Sequence, residues 1–110
     1  MIVSYIKHIN IDKENRVEFW LTNFDFIDGS DYLAKVFCER YKMRVEDKID
    51  GVWFSIIKLQ SNDITYELLW HEDMGNIIYS TKQDKDSIVE LEVRLNYVLR
   101  ELNQRIYAAK

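Results

Sequence analysis

The segment SIVELEVRLNYVLRELNQRI, residues 87–106, decides the fold, because its apolar residues repeat with the period of an α-helix. They recur every three or four positions and so form one stripe along a long helix. The stripe consists of Ile88, Leu91, Leu95, Val98, Leu102 and Ile106. Val89 and Leu99 widen it, which favours packing across a sheet. A homodimer through this helix is the alternative, although the repeat is shorter than the three or four heptads typical of coiled coils.

Two helix starts are predicted from capping residues. Ser87 and Glu90 fit the capping box, in which a hydroxyl and a carboxylate each accept a hydrogen bond from the other's backbone amide. A shorter helix is predicted over residues 30–41, where Leu33, Val36, Phe37 and Tyr41 recur at helical spacing. Its first amides would be capped by Asp28 or Ser30.

Between the helices the apolar pattern alternates with a period of two. Residues 43–49 and 52–59 flank Asp50-Gly51, a pair that favours a tight hairpin turn because both residues tolerate positive φ. Further strands are predicted at residues 64–70 and 76–81, separated by polar or glycine-containing turns. This block is therefore predicted to be an antiparallel meander of about four strands.

The N-terminal residues predict a further hairpin. Residues 2–9 are branched and aromatic without clean alternation, which is typical of a strand covered on both faces. Residues 17–22 alternate apolar and polar side chains, as in a half-buried strand. The order ββαββββα predicts one α+β domain over residues 1–110, with an antiparallel sheet of five to six strands and both helices on one face.

Composition limits the classes of partner. The chain of 110 residues carries a net charge of -4 and contains no long basic run. An acidic surface repels a polyphosphate backbone, so no nucleic-acid partner is expected. A basic protein partner is favoured instead, because opposite potentials accelerate encounter.

The cellular location is inferred from cysteine and from targeting signals. Cys38 is the only cysteine, which excludes an internal disulfide and fits a reducing compartment. The first residues lack the pattern of a signal peptide, and no run of about 20 apolar residues would span a membrane. A cytoplasmic protein without membrane association is expected.

No constellation in the sequence indicates an enzyme. Cys38 with His8 or His71 is the only thiol and imidazole combination, and Cys38 falls inside a helical pattern rather than at an exposed helix start, where a thiolate is stabilised. The two histidines are isolated, so neither catalytic residues, nor a metal site, nor a cofactor is predicted. A small-ligand or enzymatic domain of unknown type is the last alternative, after the two binding functions described at the end of this section.

Two segments combine carboxylates with aromatic residues and are the candidate partner-binding residues. One surrounds the predicted start of the first helix and contains Asp25, Asp28 and Asp31. The other is a predicted turn with Trp70, His71, Glu72 and Asp73. Aromatic side chains supply buried area in an interface while carboxylates orient a basic partner. The plainer alternative is a capped helix start and a polar hairpin turn.

The chain has more large aromatic residues than one small core readily contains. They include Trp20, Trp53, Trp70, Tyr66 and Tyr79. Some are expected on an exposed or partner-covered sheet face. The alternative is that they complete the core.

A small, acidic α+β chain without a catalytic set, rich in Ile, Asn, Lys and Tyr and free of proline, resembles the immunity proteins of bacterial toxin systems, including contact-dependent growth inhibition. The resemblance implies tight binding of a cognate toxin domain, often a basic nuclease. It carries no shared motif and so assigns no binding residue. The second hypothesis is an adaptor or chaperone of a secretion or stress system, which would hold an extended peptide at an exposed sheet face or edge.

Overall fold

The computed structural model describes residues 2–24 and 28–108, with side chains as far as Arg105. This part of the chain contains six strands and two α-helices, and a 3-10 turn, Ile11–Lys13, joins the first two strands. The strands are β1 Ser4–Asn10, β2 Arg16–Thr22, β3 Arg44–Asp50, β4 Phe54–Ser61, β5 Ile64–His71 and β6 Gly75–Ser80. The helices are α1 Gly29–Tyr41 and α2 Lys85–Ala108. The predicted order ββαββββα is confirmed.

All six strands form one antiparallel sheet in the order β1-β2-β6-β5-β4-β3. The meander β3 to β6 therefore returns to pair with the N-terminal hairpin, and β1 and β3 form the two edges. Helix α1 packs on β3, β4 and β5, while α2 packs on β6 and on α1. Both helices lie on one face, so the predicted α+β fold with a long C-terminal helix is confirmed.

The apolar stripe of α2 forms the centre of the core. Leu91, Leu95 and Val98 are completely buried among residues of α1 and the sheet. A homodimer through α2 would therefore have to use its outer side, where Val93 and Tyr97 are exposed. The side chain of Ile106, the last predicted member of the stripe, lies outside the described residues.

Both helices start differently from the prediction. Helix α2 begins at Lys85, and the side chain of Asp84 accepts hydrogen bonds from the amide (3.0 Å) and the hydroxyl (2.7 Å) of Ser87. The helix starts earlier than the capping box placed it because the Asp84 carboxylate already satisfies an amide of the first turn. In α1 the Asp28 side chain makes no capping bond, and Ser30 Oγ instead donates to Asn76 Oδ1 at 2.5 Å.

Strand β1 lies at an edge of the sheet and is exposed on both of its faces. The prediction that both faces are covered is therefore wrong for the single chain. Ile6 and Ile9 are 63% and 57% exposed. Helix α2 contacts the first half of this strand, where Tyr5 Oη donates to Glu92 Oε2 at 2.9 Å and Lys7 Nζ lies 3.5 Å from Glu92 Oε1. The apolar composition of β1 therefore does not show that the strand is covered within the single chain.

The hairpin between β3 and β4 is confirmed, with a longer loop than the two residues predicted. The amide of Gly51 donates to the carbonyl of Phe54 at 2.8 Å, and β4 begins at Phe54 rather than at Val52. A Cβ atom at position 51 would overlap the Phe54 ring, so the glycine allows the ring to fold over the loop. Val52 and Trp53 are left outside the sheet.

We predict that Val98→Ala lowers the free energy of unfolding by about 2 kcal/mol, because it removes buried methyl groups from the centre of the core. Val93→Ala on the exposed side of the same helix should change it by less than about 0.5 kcal/mol. Urea unfolding followed by circular dichroism measures both. Equal losses would show that the outer side of α2 is buried as well.

Candidate functional site

The two acidic aromatic segments lie at the same end of the sheet. Because all neighbouring strands are antiparallel, the β3–β4 loop, the β5–β6 turn and the connection from β2 to α1 meet there. Asn76, at the start of β6, joins these elements: its Nδ2 donates to the carbonyl of Phe24 at 2.8 Å and its Oδ1 accepts from Ser30. Segments far apart in sequence are thus held together at this end of the sheet.

A surface cavity of about 380 Å³, called the acidic cavity below, is lined by Trp53, His71, Glu72 and Asp73. The amide of Glu72 donates to the carbonyl of Trp53 at 2.9 Å, which ties the turn to the loop. The amide of Asp73 donates to His71 Nδ1 at 3.0 Å and fixes the imidazole ring. Backbone hydrogen bonds therefore hold the walls of the cavity in place.

The acidic cavity combines an exposed indole with free carboxylates. Trp53 is 60% exposed, and Glu72 and Asp73 are both exposed. The neighbouring Val52 is 81% exposed, and Met74 in the adjoining turn is also exposed. Such a mixture can bury apolar area and bind a cationic side chain over the indole ring.

The structure brings three of the predicted partner-binding residues together at the cavity, namely His71, Glu72 and Asp73. Trp70 does not line it. Trp70 pairs with Ser55 and Asn76 in the sheet, which places it on the face that carries the helices. Asp25 lies outside the described residues.

Asp28 and Asp31 form a separate group around Lys48 of β3. Lys48 Nζ lies 2.9 Å from Asp31 Oδ1, and this hydrogen bond, reinforced by the charges of Asp31, Asp50 and Asp28, raises the pKa of Lys48 above its ordinary 10.5. These aspartates are therefore partly neutralised within the chain. The carboxylates of the acidic cavity have no cation among the ion pairs of the described residues.

The face of the sheet opposite the helices, called the open face below, carries an apolar row across its full width. One residue of each strand contributes, and each is paired with the next by strand register. In sheet order the row is Ile6, Trp20, Ile77, Leu69, Ile56 and Ile49. Its two ends, Ile6 and Ile49, are exposed, whereas Ile77 at the centre is buried.

A buried polar network lies beside this row on the open face. Glu18 is only 1% exposed and accepts hydrogen bonds from Arg16 Nε at 2.8 Å, Trp20 Nε1 at 2.9 Å and Asn10 Nδ2 at 3.2 Å. The Arg16 guanidinium also lies 3.7 Å from the centre of the Tyr79 ring. Both carboxylate oxygens of Glu18 thus accept hydrogen bonds from neighbouring side chains of β1 and β2.

This environment shifts two pKa values. Burial alone would raise the pKa of Glu18, but the hydrogen bonds from Trp20, Arg16 and Asn10 outweigh it and lower the pKa below the ordinary 4.5. Burial, with the nearby Glu67 carboxylate, raises the pKa of Tyr79 to about 12. Both shifts follow from structural contacts, and Tyr79 Oη donates a hydrogen bond to Glu67 Oε1 at 3.0 Å.

The aromatic residues that sequence analysis considered too many for one core are divided among different environments. Tyr66 is buried under the helices, and Tyr79 is buried on the open face. Trp20 lies on the open face against His8, with ring centroids 4.7 Å apart. Trp53 is absent from the partner-binding residues predicted from the sequence, because only the folded loop places it beside the β5–β6 turn.

A second cavity, of about 270 Å³, lies on the helical side. Arg40 and Arg100 approach the ring of Tyr97 from neighbouring helices, at 5.2 and 5.5 Å from its centroid. Glu101 also lines this cavity and pairs with Arg40 at 3.7 Å, so the surface carries both signs of charge. Sequence spacing gave no signal for this cluster, because α1 and α2 meet only in the fold.

The thiol and imidazoles do not converge. Cys38 lies in the last turn of α1, whereas His71 lies at the end of the sheet where α1 begins, and His8 is on the opposite face. Burial raises the pKa of Cys38 and so disfavours the thiolate. Within the described residues no group of histidine, cysteine and acidic side chains could hold a metal ion, and no helix is long and apolar enough to cross a membrane.

Comparison with protein-family models, with curated proteins and with solved structures found no match for this chain.

We predict that Glu18→Gln destabilises the fold at neutral pH by about 1–3 kcal/mol, because Arg16 loses a charged partner in a buried position. The pKa of Glu18 is lower in the folded chain than its ordinary 4.5, so its carboxylate stabilises the fold above that pH, and this contribution is lost as the pH falls through the folded value. Urea midpoints measured from pH 7 downward should therefore fall less steeply for the variant.

The matched control is Glu14→Gln, which changes an exposed carboxylate in the same hairpin. It should keep the acid dependence of the original chain. If both variants showed the same dependence on pH, Glu18 would not be the group responsible.

Proposed function

We propose that this chain is a non-enzymatic protein-binding domain of the immunity type, which binds and neutralises a cognate toxin domain through the acidic cavity. The observation that carries the proposal is the exposed indole of Trp53 beside the unneutralised carboxylates of Glu72 and Asp73. We expect the toxin domain to be basic, as a nuclease is, and the chain to act in the cytoplasm.

Charge and shape support a basic partner. The chain has a net charge of -4, and the cavity presents its carboxylates where a partner's lysine or arginine can reach them. A guanidinium placed over the indole would gain a cation–π contact and a charge-assisted hydrogen bond at the same time. The rigid backbone around the cavity limits the conformational entropy lost on binding.

The chain would neutralise a nuclease toxin by competing with nucleic acid for the toxin's basic surface. A nuclease attracts polyphosphate through its basic groups, and carboxylates held at fixed positions can occupy those groups in place of phosphates. The exposed side chains of Val52 and Met74 beside the cavity would add apolar contact and exclude water from the charged pairs. The chain then needs no catalytic residue of its own.

The second candidate is an adaptor or chaperone that binds an extended peptide. The exposed edge of β1 favours it, because an unpaired strand edge can accept a peptide by main-chain hydrogen bonds. The two functions predict different partners and different sites. Expression of the chain with the toxin encoded by the neighbouring gene should restore growth only under the immunity proposal.

We predict that the double variant Glu72→Lys with Asp73→Lys binds the protein encoded by the neighbouring gene at least about tenfold more weakly. Its affinity should also depend less on salt, since steering charges are removed. Titration calorimetry at two ionic strengths measures both effects. The matched control is Asp12→Lys with Glu14→Lys, which makes the same change in net charge in the exposed β1–β2 connection, at the opposite end of the sheet.

Equal weakening by both double variants would show that net charge alone matters and would remove the acidic cavity from the proposal. If no protein encoded beside this chain binds it, the immunity function itself is wrong.

We predict that Trp53→Ala weakens the same complex by at least about 2 kcal/mol, or roughly thirtyfold, as truncation of a central aromatic contact does in other interfaces. Val52→Ala, the neighbouring and more exposed residue, should cost less than about 1 kcal/mol. Thermal unfolding of both variants provides the control for folding. Full affinity in Trp53→Ala would exclude the indole as an anchor.

A further inference from the structure

The two edges of the sheet differ in how they are protected against strand pairing. Strand β3 carries charges along its whole length and a β-bulge between Val45 and Asp47, both of which discourage another strand from pairing. Strand β1 has no bulge in its register with β2, and exposes Ile6 and Ile9. One edge is thus blocked, while the other has the composition of an interior strand.

We propose that β1 pairs antiparallel with β1 of a second copy of this chain, around a twofold axis at Ile6. The pairing joins two six-stranded sheets into one continuous sheet. This site is separate from the acidic cavity, which lies beside the opposite half of the sheet, at the β3–β4 loop. The inference therefore does not depend on the proposed function.

The twofold axis at Ile6 gives a favourable set of pairs. Ile6 faces Ile6 on the open face, so the apolar row continues from one copy into the other. Tyr5 faces Lys7, and Ser4 faces His8. An axis at Lys7 would instead place two ammonium groups opposite each other, which destabilises a strand pair.

Charge complementarity supports a second copy as the occupant. Within one chain Glu92 accepts a hydrogen bond from Tyr5 at 2.9 Å and lies 3.5 Å from Lys7 Nζ. In the proposed register Lys7 of each copy lies opposite Tyr5 of the other copy, and therefore near the Glu92 that holds this tyrosine. The ammonium groups of both Lys7 residues and the carboxylates of both Glu92 residues then lie close to the axis, so positive and negative charges are equal in number there.

Cross-linking tests the register. With Cys38 replaced by serine, Ile6→Cys should form a disulfide-linked dimer under mild oxidation, because opposed residues of an antiparallel pair lie within the Cα separation of a disulfide. His8→Cys, also exposed on the same strand, should not cross-link with itself, because the two copies would lie about 13 Å apart along the strands. A mixture of the Ser4→Cys and His8→Cys chains should form the mixed dimer.

Light scattering of the unoxidised chain gives an independent measurement. We expect a mass approaching twice 13.3 kDa as concentration rises, and a return to 13.3 kDa in Ile6→Lys, which places two cations on the axis. Circular dichroism should show that this variant remains folded. A chain that stays at 13.3 kDa, a dimer that Ile6→Lys leaves intact, or equal self-cross-linking at Ile6→Cys and His8→Cys would each overturn the proposal.

Discussion

The packing of α2 against one face of the sheet is the constraint on which the rest of the structure depends. Its buried leucines, with the buried apolar residues of α1, remove the apolar side of β2, β4, β5 and β6 from water, and this burial stabilises the fold. The two helices cover the central part of one face of the sheet and leave Ile9 and Val45 of the edge strands exposed. The other face and the two outer strands therefore have to be stabilised by their own side chains or by a partner.

The open face meets this requirement differently at its centre and at its edges. At the centre, Glu18 and Arg16 satisfy each other and pack against Tyr79, so charged groups can be buried there without loss of hydrogen bonds. Towards the edges, Ile6 and Ile49 remain exposed. The row is therefore apolar from edge to edge, but its centre alone is fully buried.

The surfaces suited to binding arise where loops converge. The β3–β4 loop presents Trp53 because β4 begins only at Phe54, and the β5–β6 turn places Glu72 and Asp73 beside it. Neither element forms the cavity by itself, and the hydrogen bond from the Glu72 amide to the Trp53 carbonyl holds them together. By contrast, Asp31 is occupied by Lys48, so equally acidic segments of the sequence are not equally available to a partner.

The elements, their order and the buried side of α2 could be predicted from local sequence patterns, because hydrophobic periodicity is a property of each segment alone. The sequence also indicated His71, Glu72 and Asp73 as a surface turn, since polar residues beside glycine end strands. The folded chain was needed to show that β1 lies at an edge, that Asp84 caps the start of α2, and that Trp53 lines the cavity. Those features depend on which strands become neighbours and where loops meet, and contacts between distant residues leave no periodic trace in the chain.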